Sequence, residues 1–236
     1  MNDFYLPACC SAPSDHWPLP QRLPGLRMAS TAFDVALLHP EDFQRCGIAA
    51  VKGVNKRQAE HLAGRLCARE ALRALIGVAS VPEVGADRAP QWPVGVAGSI
   101  THGGGWAGAV VGQRSAWRGL GLDVEKHLPE QRAERLAAQI LTPAELSRLQ
   151  ELPAAQRARR ISLTFSLKES LFKALYPLVL RTFYFQDAEL LSCDHQGQAR
   201  LRLLIDLHAD WPAGSELEGQ FVEFDGYLLS LVGIPA

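Results

Sequence analysis

The sequence predicts an α+β fold in two halves, each running helix first and strands later. Three observations carry this: a 3.6-residue apolar period over 54–76, short β-type runs around Gly103-Gly104-Gly105, and a C-terminal stretch of hairpins after a second helical region. At 236 residues and 47% hydrophobic, the chain can bury a sizeable core, as one large domain or two small ones. The repeated order hints at an internal duplication, with halves at 1–116 and 117–236, although the residues themselves show no repeat.

Residues 1–30 are rich in Pro and short in periodicity, and read as an irregular arm laid over a domain. The spacing predicts a helix over 54–76. Ala59, Leu62, Ala63, Leu66 and Cys67 share one face, Arg57, His61, Arg65 and Arg69 another, and Gly77 is the stop. A loop broken by Pro82, Gly85, Pro90 and Pro93 follows, then strands over 96–102, 105–112 and 117–125. Helical material resumes over 129–160, where Thr142-Pro143-Ala144-Glu145 marks an N-terminus: Thr142 as cap, Pro143 at the first helical position, Glu145 closing a capping box. A helix over 165–176 is expected to stop at Pro177. The tail reads as hairpins, 183–192 with 198–206 and 219–224 with 227–234, the second turning at Asp225-Gly226.

Composition limits the function classes. With 24 basic against 25 acidic residues the formal net charge is -1, which removes a global electrostatic case for nucleic acid. Five cysteines, two of them adjacent (Cys9, Cys10) and none in a C-x-x-C pair, suit neither a disulfide framework nor a zinc site and fit a reducing cytosol. The start, with Asp3, Pro7 and Pro13, lacks the basic and apolar runs of a signal peptide, and no apolar stretch is long enough to span a bilayer. The expected location is cytoplasmic.

Four constellations carry chemistry. In Gly119-Leu120-Gly121-Leu122-Asp123-Val124-Glu125 a period of two turns Leu120, Leu122 and Val124 inward and gives Gly121, Asp123 and Glu125 a common face. Paired carboxylates repel unless a cation or proton separates them, and hard oxygens suit Mg²⁺; Gly121 would leave room for a ligand. A solvated edge strand with two ordinary acids fits the same pattern. The run from Phe165 to Tyr176 buries Leu167, Leu171 and Ala174 and sets Glu169 and Lys173 one turn apart on the opposite side, Lys168 beside them. That trio could complete a metal site and clamp phosphate, or be an i,i+4 pair on a wet helix face, the commoner origin of such spacing. Ser99-Ile100-Thr101-His102, entering the glycine turn, could cradle phosphate with backbone N–H groups and His102, or simply form a tight hairpin; it is not a P-loop. Arg57, Arg65 and Arg69, with Arg88 in the next loop, could bind phosphate or form a solvated basic face.

In this order the four resemble one family. G-L-D-V-E, followed some forty residues later by F-S-L-K-E-S-L-F-K-A-L-Y-P, with K-R-Q-A-E-H-L-A-G-R-L-C-A-R at 56–69 and W-P-V-G-V-A-G-S-I-T-H at 92–102, looks like the broad-specificity phosphopantetheinyl transferases of the surfactin and enterobactin-synthase type. The likeness is strong over roughly 54–176. It implies a pseudo-dimer of two similar α+β halves with the active site in the cleft between them, monomeric as a molecule. It further implies transfer of the 4′-phosphopantetheine arm of coenzyme A to a serine of apo acyl carrier proteins and of peptidyl or aryl carrier domains, releasing 3′,5′-ADP. Asp123, Glu125 and Glu169 would hold Mg²⁺, Lys173 would contact the transferred phosphate, and Lys168 would support the same helix face. Thr101 and His102 would bind nucleotide phosphates, and Arg57, Arg65 and, by looser alignment, Arg88 the 3′-phosphate end; Glu169 is the candidate for taking the serine proton. Two positions depart from relatives: Val124 stands where a polar residue can occur, and Gly103 where many carry Ser. A CoA-binding regulatory module without catalysis and a Mg²⁺-dependent nucleotide pyrophosphohydrolase are the competing functions. Arg132, Arg135, Arg157, Arg159 and Arg160 would face an acidic carrier.

Overall fold

A computed structural model of the chain describes residues 5–236. Its contacts divide it into two compact units. The first holds Arg22–Trp117 with the N-terminal segment up to Trp17 and with Ala236; the second holds Pro18–Gln21 and Arg118–Pro235.

In the first unit the elements run β1 (Ser14–Asp15), β2 (Arg27–Ala32), α1 (Asp42–Cys46), α2 (Asn55–Ile76), β3 (Glu83–Val84), β4 (Pro90–Gln91), β5 (Val96–Gly103) and β6 (Trp106–Gln113). A sheet in the order β1-β2-β6-β5 carries α2. The helix ends as expected, with Gly77 in the left-handed region at φ 74° and its N–H bonded to the Arg73 carbonyl. Its apolar stripe of Ala59, Leu62, Ala63, Leu66 and Cys67 is buried against Ala107 and Ala109 of β6. Gly64 lets the helix approach β5 closely, since a Cβ there would lie 2.7 Å from Ile100 Cγ2.

The arm expected over 1–30 is corrected in part; residues 1–4, Asp3 among them, lie outside the described residues. Arg27–Ala32 is an inner strand paired with β6, and Ser14–Asp15 pairs with it in turn. Its four middle residues, Met28 to Thr31, are all buried, so no alternation of apolar and polar residues marks it as a strand.

The second unit runs β7 (Trp117–Lys126, with Trp117 itself counted in the first unit), α3 (Glu130–Ile140), α4 (Pro143–Gln150), α5 (Ala154–Val179), β8 (Ala188–Cys193), β9 (Gln198–Leu203), β10 (Glu216–Phe224) and β11 (Tyr227–Pro235). The sheet order is β7-β11-β10-β9-β8. Leu167, Leu171, Ala174 and Leu175 of α5 pack with Leu201, Phe221, Leu228 and Val232 from the sheet. The capping box at Thr142 and Glu145 is present, and Asp225 and Gly226 turn the last hairpin with positive φ at both residues.

The helical material over 129–160 is three helices, the second capped by Thr142 as the sequence marks and the third following Pro153. Two expectations here need correction. Pro177 does not stop α5; it sits in the last turn, and the helix closes at Leu180, whose N–H bonds the Tyr176 carbonyl. Proline there leaves the Lys173 carbonyl without its i+4 donor, and the ladder still continues to Leu180 N–H on the Tyr176 carbonyl. The 183–192 strand starts only at Ala188, after a 3₁₀ turn at Phe185–Asp187.

The two units share a topology. In each, a first strand pairs with the last, the last pairs with its predecessor through a tight turn, and a long helix lies on the resulting sheet: β2, α2, β5, β6 in one and β7, α5, β10, β11 in the other. Among the described residues no helix is long and apolar enough to cross a membrane.

Candidate active site

The second unit gathers the carboxylates. Strand β7 is buried along both of its faces from Gly119 to Val124, which removes the solvated-edge reading. The room at Gly121 belongs to the helix and not to a ligand: a Cβ there would stand 1.8 Å from the Ser170 carbonyl oxygen, and one at Gly119 would stand 2.2 Å from that of Ala174. The two glycines thus let β7 lie directly on the α5 backbone. That contact sets Asp123 beside Lys173.

Asp123 is 4% exposed. Its Oδ1 receives Lys173 Nζ at 2.7 Å and its Oδ2 receives the Ser166 hydroxyl at 2.9 Å. Behind it, the Ser166 and Ser170 hydroxyls each lie 2.8 Å from the Ser230 hydroxyl, and Ser170 also donates to the Ser230 carbonyl. This buried hydroxyl chain fixes the carboxylate rotamer. No role falls to Ser166 or Ser170 from the sequence, since serines one turn apart on a helix carry no signal of such a chain. Lys173 donates to the Leu122 carbonyl as well, at 3.0 Å. It pairs with Asp123 and not with Glu169, so the wet-face i,i+4 pair is not what the spacing encodes.

Glu125 and Glu169 are half-buried and neither accepts a hydrogen bond nor makes an ion pair among the described residues. Burial pushes the Glu125 carboxyl up to about 7, with the Asp123 and Glu169 charges adding to it and Lys173 and Arg132 opposing. Burial likewise raises Glu169, against the pull of Lys173. Among the described residues no three His, Cys, Asp or Glu side chains form a ready metal cage. The donor set still fits Mg²⁺, which keeps several waters and takes only one or two carboxylates. It is all oxygen, and among the described residues Glu125 and Glu169 accept no hydrogen bond, while Lys173 and Arg132 only partly offset the repulsion at Glu125.

Lys168 is corrected. It is 2% exposed and its ammonium is saturated by Glu145 Oε2 at 2.7 Å, the Phe185 carbonyl at 2.8 Å and the Ile140 carbonyl at 2.9 Å. Glu145 in turn accepts from the Thr142 and Leu190 N–H groups. Three donors in, three acceptors out: Lys168 pins α3, α4 and the 3₁₀ turn to α5 and has nothing left for a phosphate. Beside Glu169 lies a cavity of about 230 Å³ walled by Phe172, Phe183, Tyr184 and Phe185.

The first unit gathers cations. Arg65 is 6% exposed, yet no carboxylate or carbonyl takes its guanidinium among the described residues. Burial alone lowers its pKa. Of the two readings open for this face, the solvated one does not describe Arg65. His61, one turn before it, is held down to about 4 by burial first and then by the Arg65 charge, with His102 and Arg57 adding to it. Thr101 is buried, and His102 is exposed with Nδ1 3.7 Å from Glu60 Oε2. Arg57 is exposed and its stem packs over Gly53. Arg69 is turned to the Cys46 carbonyl. Arg88 is exposed in the β3–β4 turn, in the left-handed region at φ 69°.

Comparison with known proteins follows the same division. The 4′-phosphopantetheinyl transferase N-terminal domain matches residues 48–112, and the 4′-phosphopantetheinyl transferase superfamily domain matches 119–232. The 4′-phosphopantetheinyl transferase PptT of Mycobacterium tuberculosis is 38% identical over 176 residues, 71% of either chain. The chain belongs to the 4′-phosphopantetheinyl transferases. The transferase Svp of Streptomyces mobaraensis is 34% identical, covering 86% of this chain and 80% of its own. Enterobactin synthase component D of Escherichia coli K12 is 44% identical over 119 residues, 50% of this chain and 55% of its own. Among solved structures, a holo-(acyl-carrier-protein) synthase from Bacillus anthracis in complex with CoA (3′,5′-ADP) matches 51% of this chain and 98% of its own, at 18% identity and a TM-score of 0.37.

Proposed function

We propose that this transferase moves the 4′-phosphopantetheine arm of coenzyme A to a serine of apo acyl carrier proteins and of peptidyl or aryl carrier domains, a holo-carrier-protein synthase reaction that releases 3′,5′-ADP. The observation that carries the reading is the group formed by Asp123, Glu125, Glu169 and Lys173: three carboxylates, two of them without a hydrogen bond or ion pair among the described residues, beside a half-buried ammonium.

Asp123, Glu125 and Glu169 would hold Mg²⁺, which supplies charge neutralisation at the pyrophosphate when bound. Lys173, braced by Asp123 and the Leu122 carbonyl, presents its remaining N–H to the transferred phosphate. The attacking group is the carrier serine hydroxyl. Glu169, raised by burial and one turn before the phosphate-contacting Lys173 on α5, is the carboxylate we assign to receive its proton. The aromatic cavity at Glu169 suits the largely uncharged pantetheine arm. On the first unit, Arg65 takes the 3′-phosphate, with Arg57 and Arg88 contributing from solvent, while Thr101 and His102 serve the nucleotide phosphates. The reaction belongs in the cytoplasm, where CoA and carriers meet.

The test is to incubate the protein with CoA, Mg²⁺ and an apo-carrier and weigh the carrier. A gain of one phosphopantetheine group with matching 3′,5′-ADP supports the reading. CoA cleavage without carrier labelling would make it a hydrolase, and CoA binding without either would make it a binding module.

A further inference from the structure

The core of the first unit holds four buried thiols, Cys9, Cys10, Cys46 and Cys67. Two of them are sequence neighbours whose Sγ atoms lie 3.8 Å apart. Cys9 Sγ also lies 4.0 Å from Oδ2 of Asp42. That carboxylate is 1% exposed and held by the Tyr5 hydroxyl at 2.7 Å and the His39 N–H at 2.9 Å. Cys10, Cys9 and Asp42 therefore form a short chain of thiol hydrogen bonds that ends on a fixed acceptor.

The backbone of the same pair is tied to the glycine turn. The Cys9 carbonyl accepts from the Asp34 N–H at 2.9 Å, Cys10 bridges Phe33, and the Phe33 N–H donates to the Gly105 carbonyl at 2.7 Å. Gly105 closes the turn that follows His102.

We propose that Cys9 and Cys10 are a reversible oxidation site, closed to a vicinal disulfide by a hydroperoxide, and that closure weakens binding of the CoA nucleotide at the His102–Gly105 turn. The second clause rests on the CoA reading above. The Cys9 sulfur attacks the outer peroxide oxygen, the O–O bond breaks, and the thiol proton leaves with the alcohol or water formed. The Cys10 sulfur then attacks the Cys9 sulfenic acid and expels water, which carries the Cys10 proton. Two electrons pass from the sulfur pair to the peroxide.

Geometry makes the product consequential. Adjacent Cα atoms are about 3.8 Å apart, below the span of about 4.4–6.8 Å that an unstrained disulfide takes. Drawing the sulfurs to about 2.05 Å must therefore shift the Cys9–Cys10 backbone, which holds Phe33 and through it Gly105. Strain of this kind also makes the bond easy to reduce, as a reversible site requires. Of the four thiols only Cys9 is held below its usual range, the hydrogen bond from Cys10 outweighing burial and the Asp42 charge, which push it up. Cys10 is raised by that bond and by burial, and burial raises Cys46 to about 11 and Cys67 further.

Intact-mass analysis of the full chain after hydroperoxide treatment should show loss of two hydrogens. Dithiol reductant should reverse it, peptide mapping should place it at Cys9–Cys10, and Cys9→Ser and Cys10→Ser should lack it. Oxidised wild type should bind CoA about tenfold more weakly than reduced, by calorimetry. A stable gain of oxygens, or no change in mass, overturns the site. A mapped disulfide with unchanged CoA affinity overturns the coupling. Should either serine variant fail to fold, peptide mapping of the wild type decides alone. If reduced wild type binds no CoA, the CoA reading fails, while the mass result stands independently of it.

Discussion

Arg65 in the first unit and Lys168 in the second are both buried cations on long helices, at 6% and 2% exposure. They differ in what surrounds the charge. Lys168 has a carboxylate and two carbonyls at 2.7–2.9 Å, whereas Arg65 has no acceptor among the described residues. A buried charge costs several kcal/mol to desolvate unless something compensates it. For Lys168 the compensation is built into the fold. For Arg65 it must arrive from outside, which is how an anion site reads before its ligand binds.

The comparison breaks most sharply on Lys168→Met. Removing the ammonium strands the Glu145 carboxylate, and about 3–5 kcal/mol of stability should be lost. Urea unfolding measures this, and Lys168→Met with Glu145→Gln should restore part of it. If Lys168→Met unfolds like wild type but loses phosphate affinity, Lys168 is a ligand residue after all.

Arg65→Met should do the reverse. Its unfolding midpoint should hold or rise, because an uncompensated charge has gone. CoA affinity should fall by about 1.5–3 kcal/mol, and dephospho-CoA affinity should hardly change. Loss of stability without loss of CoA affinity would put Arg65 in the same class as Lys168.

Lys173 lies between the two cases, with Asp123 as a partner and a proton to spare. Asp123→Asn should keep the Ser166 contact and the fold while lowering transfer by about 10²–10⁴-fold, read as kcat against Mg²⁺ concentration. An Asp123→Asn enzyme with wild-type kcat at ordinary Mg²⁺ would remove that carboxylate from the site.

The smallest effect concerns His61. Its folded pKa, about 4, is below the unfolded value near 6.5, so its neutral form stabilises the fold above pH 6.5 and that contribution is lost as pH falls towards 4. Solvent screening limits the effect to about 1–2 kcal/mol. Wild type should lose this much more than His61→Gln between pH 7 and pH 4.5. Bound CoA, by placing an anion near Arg65, should flatten the difference.

Much of this was legible in the sequence where a local rule applies. The α2 stripe, Gly77, the Thr142–Glu145 box and the Asp225-Gly226 turn are each set by a few neighbouring residues. The chemistry motifs are also local strings, so Asp123, Glu125, Glu169 and Lys173 could be named. Depth could not be read. Periodicity put Lys168 on the same side as Glu169 and left Arg65 on a wet face, because it ranks directions around one helix and knows nothing of what is packed there. Gly121 misled for the same reason: a missing side chain marks close approach, not what approaches. Strand β2 escaped because burial on both sides erases alternation.

The sheet order β7-β11-β10-β9-β8 has a consequence for how the carboxylates come to be placed. Strand β7 is made first and joins the sheet at β11, which is translated about a hundred residues later. At ribosomal speeds the interval is roughly 5–20 s. In the first part of it the segment carrying Asp123 and Glu125 has no partner, and once α5 is complete it has that helix to lie on but still no strand to pair with, while β8 and β9 form by local closure. Catalytic competence should thus appear as a late, concerted event in synthesis. Arrest-peptide force profiles on the nascent chain would show their main step only after Tyr227–Pro235 has cleared the exit tunnel.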